Sequence, residues 1–480
     1  MITFFLSILF LLLGYQFYSK LLEKVMDAKF DRPTPAMTMN DGIDYVPMPW
    51  WRVFLIQFLN IAGLGPIFGA IAGAMWGPVA FLWIVFGTIF GGAVHDYFSG
   101  MLSLRHGGKS ITEIIGIYMG NHVKQIMTIF IVVLLILVGV VFIAGPAGLL
   151  AGLTPQTLDY NFWIAIIFIY YILATLLPID KIIGRIYPIF GFALLFMALS
   201  LIIALIAQGY RIPELTFDNL QNYHYEKERF PVFPMLFITI ACGAISGFHA
   251  TQSPLMARCM KNEKEGRKVF YGAMVTEGIV ALVWAAIGMS FFGGIGELND
   301  VMVAQKGNAA WVVNEVSNSL LGSFGAVLAI LGVVMAPITS GDTAFRSARL
   351  TIADVLKNSQ KPIKNRLLIT IPLFAIGFLL TRINFDIIWR YFAWANQTLA
   401  TVILWTITIY LLEKNNKSYL ISLVPAVFMT AVVTTYILLA PEGFTLPKDI
   451  AYGIGLLLTF LIFIGFVVYK KNLKTKITSL

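Results

Sequence analysis

Long runs of Leu, Ile, Val and Phe recur along the chain, separated by short polar connections. A helix crossing the hydrocarbon core of a bilayer needs roughly 20 mostly apolar residues. Thirteen stretches meet that requirement: 3–22, 51–76, 78–101, 125–151, 161–179, 187–208, 234–257, 269–292, 321–344, 366–381, 387–411, 418–439 and 449–469. The pattern predicts an all-α polytopic membrane protein of about 13 spans. The first stretch has no basic leader before Phe4 and no small-residue cleavage site after it, so it reads as a retained span. The connections are short. The longest on one side, 209–233, reads as a capping loop, and 293–320 carries a polar helical stretch from Trp311 to Ser319.

Three spans are interrupted by residues that a lipid-facing helix does not favour. The second runs Asn60-Ile61-Ala62-Gly63-Leu64-Gly65-Pro66, where two glycines and a proline weaken the helix and free carbonyls that need another partner. The seventh runs Ala241-Cys242-Gly243-Ala244-Ile245-Ser246-Gly247-Phe248-His249-Ala250-Thr251-Gln252-Ser253-Pro254, with hydroxyl, imidazole and amide groups deep in an apolar segment. Small residues and prolines also serve close helix packing without any ligand, but the polar groups of the seventh span exceed what a kink requires. The ninth holds Ala336-Pro337-Ile338-Thr339-Ser340-Gly341-Asp342-Thr343. Asp342 either pairs with Arg346 one turn on or joins Thr339, Ser340 and Thr343 in offering oxygen to a cation. The second and seventh spans are five apart, so they cross in opposite directions. Spans 2–6 and 7–11 then form two five-helix repeats of inverted topology, each opening on a broken helix, the arrangement that marks a transporter's central site. The division that follows is 1–50 (N-terminal helix and loop), 51–208 and 234–411 (the repeats), 209–233 (the outer loop) and 412–480 (two C-terminal helices and a basic tail).

Composition sharpens the class. Hydrophobic residues make up 58% and charged residues 12% of the chain, about half the usual charged share of a soluble domain. A soluble enzyme, a disordered chain and a disulfide scaffold are excluded; two cysteines, Cys242 and Cys259, with no CxxC pair, point neither to disulfides nor to zinc. The net charge of +9 suits an anionic membrane surface and not nucleic acid. Of the 34 Lys and Arg residues, 27 fall in odd-numbered connections and the tail, and 7 in even-numbered ones. Basic loops stay cytoplasmic, which puts the N-terminus outside and the tail inside.

The residues at the breaks supply the candidate chemistry. Asn60, Ala62, Gly63, Gly65, Gly243, Ser246, Gly247, His249, Thr251 and Gln252 are candidates for binding a carboxylated solute through backbone N–H groups, helix ends and side-chain hydrogen bonds. Thr339, Ser340, Asp342 and Thr343 are candidates for coupling to H⁺ or Na⁺, with Na⁺ placed near Thr339, Ser340 and Asp342. His95 and Asp96 read either as a proton relay or as a capped helix end. Glu277 is an isolated carboxylate in an apolar helix, and reads as a hydrogen-bonded core group or a proton carrier. Asp386, Trp389 and Arg390 read as an interfacial anchor, and Lys181 to Arg185 as an inside loop. No GxxxxGK[ST] and no HExxH is present, so nucleotide-driven pumping and metalloenzyme chemistry are disfavoured, and no cofactor is expected.

Five strings together resemble one family. They are Ile61-Ala62-Gly63-Leu64-Gly65-Pro66, Gly91-Gly92-Ala93-Val94-His95-Asp96-Tyr97, Leu177-Pro178-Ile179-Asp180-Lys181, Ala241 to His249, and Thr34-Pro35-Ala36 followed by Asp41-Gly42-Ile43-Asp44-Tyr45-Val46-Pro47. This set is similar to the carbon starvation protein (CstA) family, in order from about residue 34 to 350. The resemblance implies a bacterial inner-membrane transporter linked to peptide and pyruvate uptake, proton-coupled in its best-known members. It also implies a LeuT/APC-like 5+5 fold. The chain is shorter than the longer members at its C-terminal end. It carries Ile56-Gln57 and Asn60 where those members carry a histidine pair, so a proton role at those histidines does not transfer. The resulting expectation is a secondary active, cation-coupled symporter for a small carboxylated solute such as pyruvate or a short peptide. An amino-acid transporter and an uncoupled channel or nutrient sensor are the alternatives.

Overall fold

The computed structural model describes residues 1–42, 44–176, 180–358, 360, 362–414 and 417–478. Among them the regular elements are helices, and the only β contact is an isolated bridge between Met48 and Met260. A helix satisfies its own backbone hydrogen bonds, which lipid cannot do for it. Among the described residues ten helices are long and apolar enough to cross a bilayer, or eleven when the bent pair Trp50–Ile61 and Gly65–Trp76 counts as one. The two remaining stretches of the sequence pattern fall short for physical reasons: Tyr160–Leu176 has only 17 residues, and the stretch from Val232 to Ala257 is discontinuous. Lys181 to Arg185 belong to the helix Asp180–Ala207 and not to a loop; Leu177 to Ile179 lie outside the described residues. The polar stretch around Trp311 opens the helix Ala309–Leu328, where the Asn308 side chain accepts the Trp311 N–H and Gly322 (φ 58°) supplies a kink.

Both main interruptions are real. Helix Trp50–Ile61 stops at Ala62, and the chain resumes as Gly65–Trp76 at an angle of 57°. Gly63 and Gly65 are poor helix formers, and Pro66 sits at the start of the resumed helix, where its missing N–H has no cost. In the second segment two short helical pieces, Val232–Leu236 and Phe237–Thr239, lead into a non-helical stretch at 240–246 before helix Gly247–Ala257. Neighbouring side chains satisfy the freed backbone. The Trp83 indole donates to the Ile240 carbonyl at 2.9 Å and the Thr88 hydroxyl to the Gly243 carbonyl at 3.2 Å.

The two breaks touch. A Cβ on Gly65 would fall on the Cys242 side chain, and one on Gly247 would fall on the backbone of Asn396 and Ala400. Hydrocarbon gives membrane helices no hydrophobic reason to associate, so such close small-residue contacts supply van der Waals cohesion instead. Helix Gly272–Phe291 packs on both halves of the first broken segment, and helix Gly247–Ala257 lies between Ala93–Arg105 and Phe385–Glu413. Asn121–Leu153 and Met335–Val355, the fourth and ninth stretches, pack along their length.

The connections sort into two groups by contact. Glu263, with a fully buried side chain, takes hydrogen bonds from Arg32 at 2.8 Å and Arg105 at 2.7 Å. Thr34 donates to the Met260 carbonyl at 2.6 Å. These join the first, third and seventh connections. On the other side Glu214 accepts from the Thr3 hydroxyl at 2.6 Å, and Asn299 bonds to Tyr223 and Tyr225. Glu263, Arg32 and Arg105 sit among the odd-numbered connections, where the lysines and arginines concentrate. The last helix turns Leu456, Leu457, Phe460 and Leu461 outward as a lipid-compatible face.

The contact at Gly247 predicts an asymmetry. Gly247→Ala meets backbone that cannot swing away and is expected to cost roughly 1–3 kcal/mol of overpacking. Gly453→Ala enters open space on the last helix and is expected to be neutral or slightly stabilising. Thermal midpoints of the two purified variants in the same detergent check this.

Candidate functional site

The site is built where the breaks cross. Ser246 precedes the helix Gly247–Ala257, and the first N–H groups of that helix have no partner within it. Asn396, from helix Phe385–Glu413, supplies one. Its Oδ1 accepts the Phe248 N–H at 2.6 Å and the Ser246 hydroxyl at 3.1 Å, and its Nδ2 lies 2.8 Å from Ser246 Oγ and 3.5 Å from Cys242 Sγ. The cap therefore comes from another helix, and it ties the second break to the bundle.

One turn later His249 points into a cluster of ionisable side chains. His249 Nδ1 is 2.8 Å from Asp96 Oδ2, and His95 Nδ1 is 2.7 Å from Asp96 Oδ1. His249 Nε2 is 3.4 Å from Glu277 Oε2. All four side chains are fully buried. The structure thus joins residues that the sequence had left apart. His95 and Asp96 are interior to the helical run Val79–Arg105 and do not cap a helix end. Glu277 has only this approach of His249 Nε2 beside it: neither of its buried oxygens accepts a hydrogen bond.

The other candidates sort as follows. Ala62, Gly63, Gly65 and Gly243 form the crossing itself and are buried. Asn60 and Gln252 are buried, with side-chain carbonyl oxygens that have no hydrogen-bond partner, as is Gln57, whose amide lies 3.5 Å from Ser253 Oγ. The Thr251 hydroxyl is held by the Phe248 carbonyl at 2.7 Å. The ninth-span group lies apart from the histidine cluster. Ser340 Oγ reaches the Leu59 carbonyl at 3.3 Å, just before the first break, while Asp342 faces Arg346 at 3.3 Å. Thr339 and Thr343 bond to carbonyls of their own helix at 2.7 and 2.8 Å.

A cavity of about 350 Å³ stands over the crossing. Phe68 of the resumed first helix and Ile238 and Thr239, just before the second break, line it, together with Trp76, His224, Tyr225 and Phe230. Lys306, Asp386, Trp389 and Arg390 line it too. The reading of Asp386, Trp389 and Arg390 as an interfacial anchor is therefore corrected: the helix start that carries them faces inward. Arg390 is 3.1 Å from the nearly buried Glu442. His224 lies among the rings of Trp76, Tyr225 and Phe230 at centroid distances of 4.4 to 4.8 Å, and its Nδ1 accepts the Glu226 N–H. Burial pushes this imidazole down from 6.5 to about 4. The 209–233 loop thus covers the cavity with aromatic side chains. That role was only partly legible, since His224 sits in a string that reads as an ordinary loop.

Helices interrupted at a shared crossing are the build of solute carriers, whose moving parts hinge around such a point. The chain belongs to the carbon starvation protein CstA family, whose model matches residues 1–151, 146–321 and 301–436. It is 45% identical over 351 residues to an uncharacterised membrane protein of Haemophilus influenzae, covering 63% of this chain and 95% of that one. It is 26% identical to the peptide transporter CstA of Bacillus subtilis, covering 96% and 94%. With the pyruvate/proton symporter BtsT of Escherichia coli it shares 29% identity over 57% of this chain and 46% of that one. Among solved structures, a manganese transporter of Eremococcus coleocola has a TM-score of 0.47 at 13% identity, over 89% of this chain and 96% of that one; a likeness so slight says nothing of site or cargo. The chain is a multi-pass membrane protein of a bacterial transporter family.

Two outcomes follow from this geometry. Asn396→Ala leaves the Phe248 N–H and Ser246 without their partner in a dry interior and is expected to lower stability by about 1–3 kcal/mol, read as a drop in thermal midpoint. His224 takes its proton near 6.5 when unfolded and near 4 when folded, so between those values the unfolded chain holds more protons. Stability is then complete above pH 6.5 and falls on acidification, by on the order of 3 kcal/mol at pH 4. The thermal midpoint of wild type is expected to fall relative to that of His224→Phe as pH is lowered from 7 to 4.

Proposed function

We propose that the chain is a secondary active transporter that carries a small carboxylated solute, pyruvate-like or a short peptide, together with a cation. The observation that carries this reading is the contact of two discontinuous helices at Gly65 and Cys242, directly beneath a cavity that holds both basic and aromatic side chains. Lys306 and Arg390 would attract a carboxylate, and Asp386 the ammonium of a peptide. Trp76 and Trp389 would cover apolar parts of the solute. Two relatives, a peptide transporter and a pyruvate/proton symporter, support the same substrate range.

The inferred fold is a LeuT/APC-like pair of five-helix inverted repeats, 51–208 and 234–411, within thirteen spans. The packing of the second stretch on the seventh, and of the fourth on the ninth, supports the fivefold offset. The N-terminus is inferred to lie outside and the tail in the cytoplasm of a bacterial inner membrane, so the cavity opens outward. The coupling cation would sit where Ser340 meets the Leu59 carbonyl, with Thr339 nearby. Hydroxyl and carbonyl oxygens suit Na⁺, since neither takes up a proton near neutral pH. Alternating access would then be rocking of one bundle against the other about the two breaks.

Uptake into proteoliposomes of radiolabelled pyruvate and of a dipeptide, under an imposed Na⁺ or H⁺ gradient, tests the proposal. Accumulation above equilibrium driven by Na⁺ is expected, with Ser340→Ala raising the Na⁺ requirement about tenfold, the loss of one modest ligand. Lys306→Gln is expected to raise the solute KM by a similar factor. Accumulation driven by H⁺ alone moves the cation away from Ser340. Equilibration without accumulation under either gradient makes the protein a channel and overturns the symport reading.

A further inference from the structure

We propose that Cys242, His249 and Glu277 form a buried site for one transition-metal dication of the zinc type. The proposal is independent of the transport reading and of the Ser340 region.

Three observations converge on it. The Cys242 sulfur, a His249 ring nitrogen and a Glu277 carboxylate oxygen all lie within 4.8 Å of one another, with the three residues buried. The cysteine comes from the non-helical stretch of the second break, the histidine from the helix that follows, and the glutamate from the helix packed alongside. His249 Nε2 and both Glu277 oxygens have no hydrogen-bond partner, although no solvent reaches them. Partnerless polar atoms in a dry interior demand an explanation, and three that share one spot share a single explanation. One ligand pair is already at the spacing of a bound ion. Two ligands at about 2.0–2.1 Å in a tetrahedron lie roughly 3.3 Å apart, and His249 Nε2 and Glu277 Oε2 are 3.4 Å apart.

The surroundings orient the ligand set. Asp96 Oδ2, 2.8 Å from His249 Nδ1, would accept the Nδ1–H of the tautomer whose Nε2 lone pair faces Glu277 and Cys242. A carboxylate behind a ligating histidine is the usual supporting arrangement at metal sites. His95 Nδ1 at 2.7 Å keeps Asp96 in place through its other oxygen. Asn396 Nδ2 donates toward Cys242 Sγ at 3.5 Å and holds the sulfur in place. The donors are one sulfur, one nitrogen and one oxygen. Hard ions such as Na⁺ and Mg²⁺ prefer oxygen throughout, whereas thiolate with imidazole selects zinc and its neighbours. Binding needs Cys242 as thiolate and Glu277 as carboxylate, so it would release the thiol proton and the carboxyl proton to solvent, leave His249 neutral and leave the fourth position open. Because the site is sealed, loading would occur during folding or when the two broken segments separate.

Metal content and spectroscopy test the assignment without any transport assay. Protein purified without chelator is expected to hold close to one equivalent of zinc per chain by mass spectrometry. Chelator-stripped protein titrated with Co²⁺ is expected to develop thiolate-to-cobalt absorption. That absorption should vanish in Cys242→Ser and persist in Cys259→Ser, a buried cysteine elsewhere in the molecule. Asp96→Asn should weaken cobalt binding about 10–100-fold, the range for a supporting residue. The thermal midpoint of wild type, but not of Cys242→Ser, should rise with added Zn²⁺. Folded wild-type protein with neither metal nor a cobalt–thiolate band, or with a band that survives Cys242→Ser, would overturn the proposal.

Discussion

Everything in this structure answers to one constraint: inside a bilayer a backbone N–H or C=O has no water to bond, so a broken helix must find protein partners for each group it frees. Breaking two helices at one place multiplies that demand. The Trp83 indole and the Thr88 hydroxyl, from the helical run Val79–Arg105, and the Asn396 amide, from helix Phe385–Glu413, meet part of it. Because these partners must come within hydrogen-bond distance, the helices that carry them are drawn against the breaks. The glycines at the crossing make the approach sterically possible. The architecture around the crossing is thus a consequence of the interruptions more than a frame into which they were fitted.

The same constraint explains where the charge sits. A lone carboxylate in an apolar helix is expensive to bury. Asp96 and Glu277 are tolerated because His249 reaches both, with His95 as a further partner of Asp96. His249 can do so only because it leaves the second break in the first turns of its helix, where the chain has just changed direction. The break therefore serves as a mount for an imidazole between two acids. By contrast Asp342, on an unbroken helix, finds its cation in Arg346 one turn away, as an exposed surface pair would.

Much of this was legible in the sequence. Apolar length and the parity of Lys and Arg identified a polytopic helical protein with two faces, and Gly63, Gly65, Pro66 and Gly243 marked the breaks, because local backbone chemistry is written in consecutive residues. What was not legible depends on residues distant in the chain. Glu277 stands 28 positions after His249 and Asp96 stands 153 before it, on separate helices, so no spacing motif joins them. Cys242 gave no metal signal for the same reason, since its companions lie on other turns and other helices. Asn396 read as one polar residue in a helix, and only the fold shows that it caps another. Arg390 and Trp389 read as membrane-surface residues, because an anchor and a cavity wall share composition and differ only in which way the helix is turned.

The arrangement also separates two kinds of chemistry by the oxygens and charges each needs. Where Ser340 meets Leu59 the groups are neutral, a hydroxyl and a backbone carbonyl, and such groups hold an ion through dipoles that are easily rearranged when a helix rocks. Where Cys242, His249 and Glu277 meet, the groups carry or can acquire full charge, and Asp96, His95 and Asn396 restrain them from behind. Weak, rearrangeable ligation belongs with an ion that must come and go, and braced charged ligation with an ion that stays.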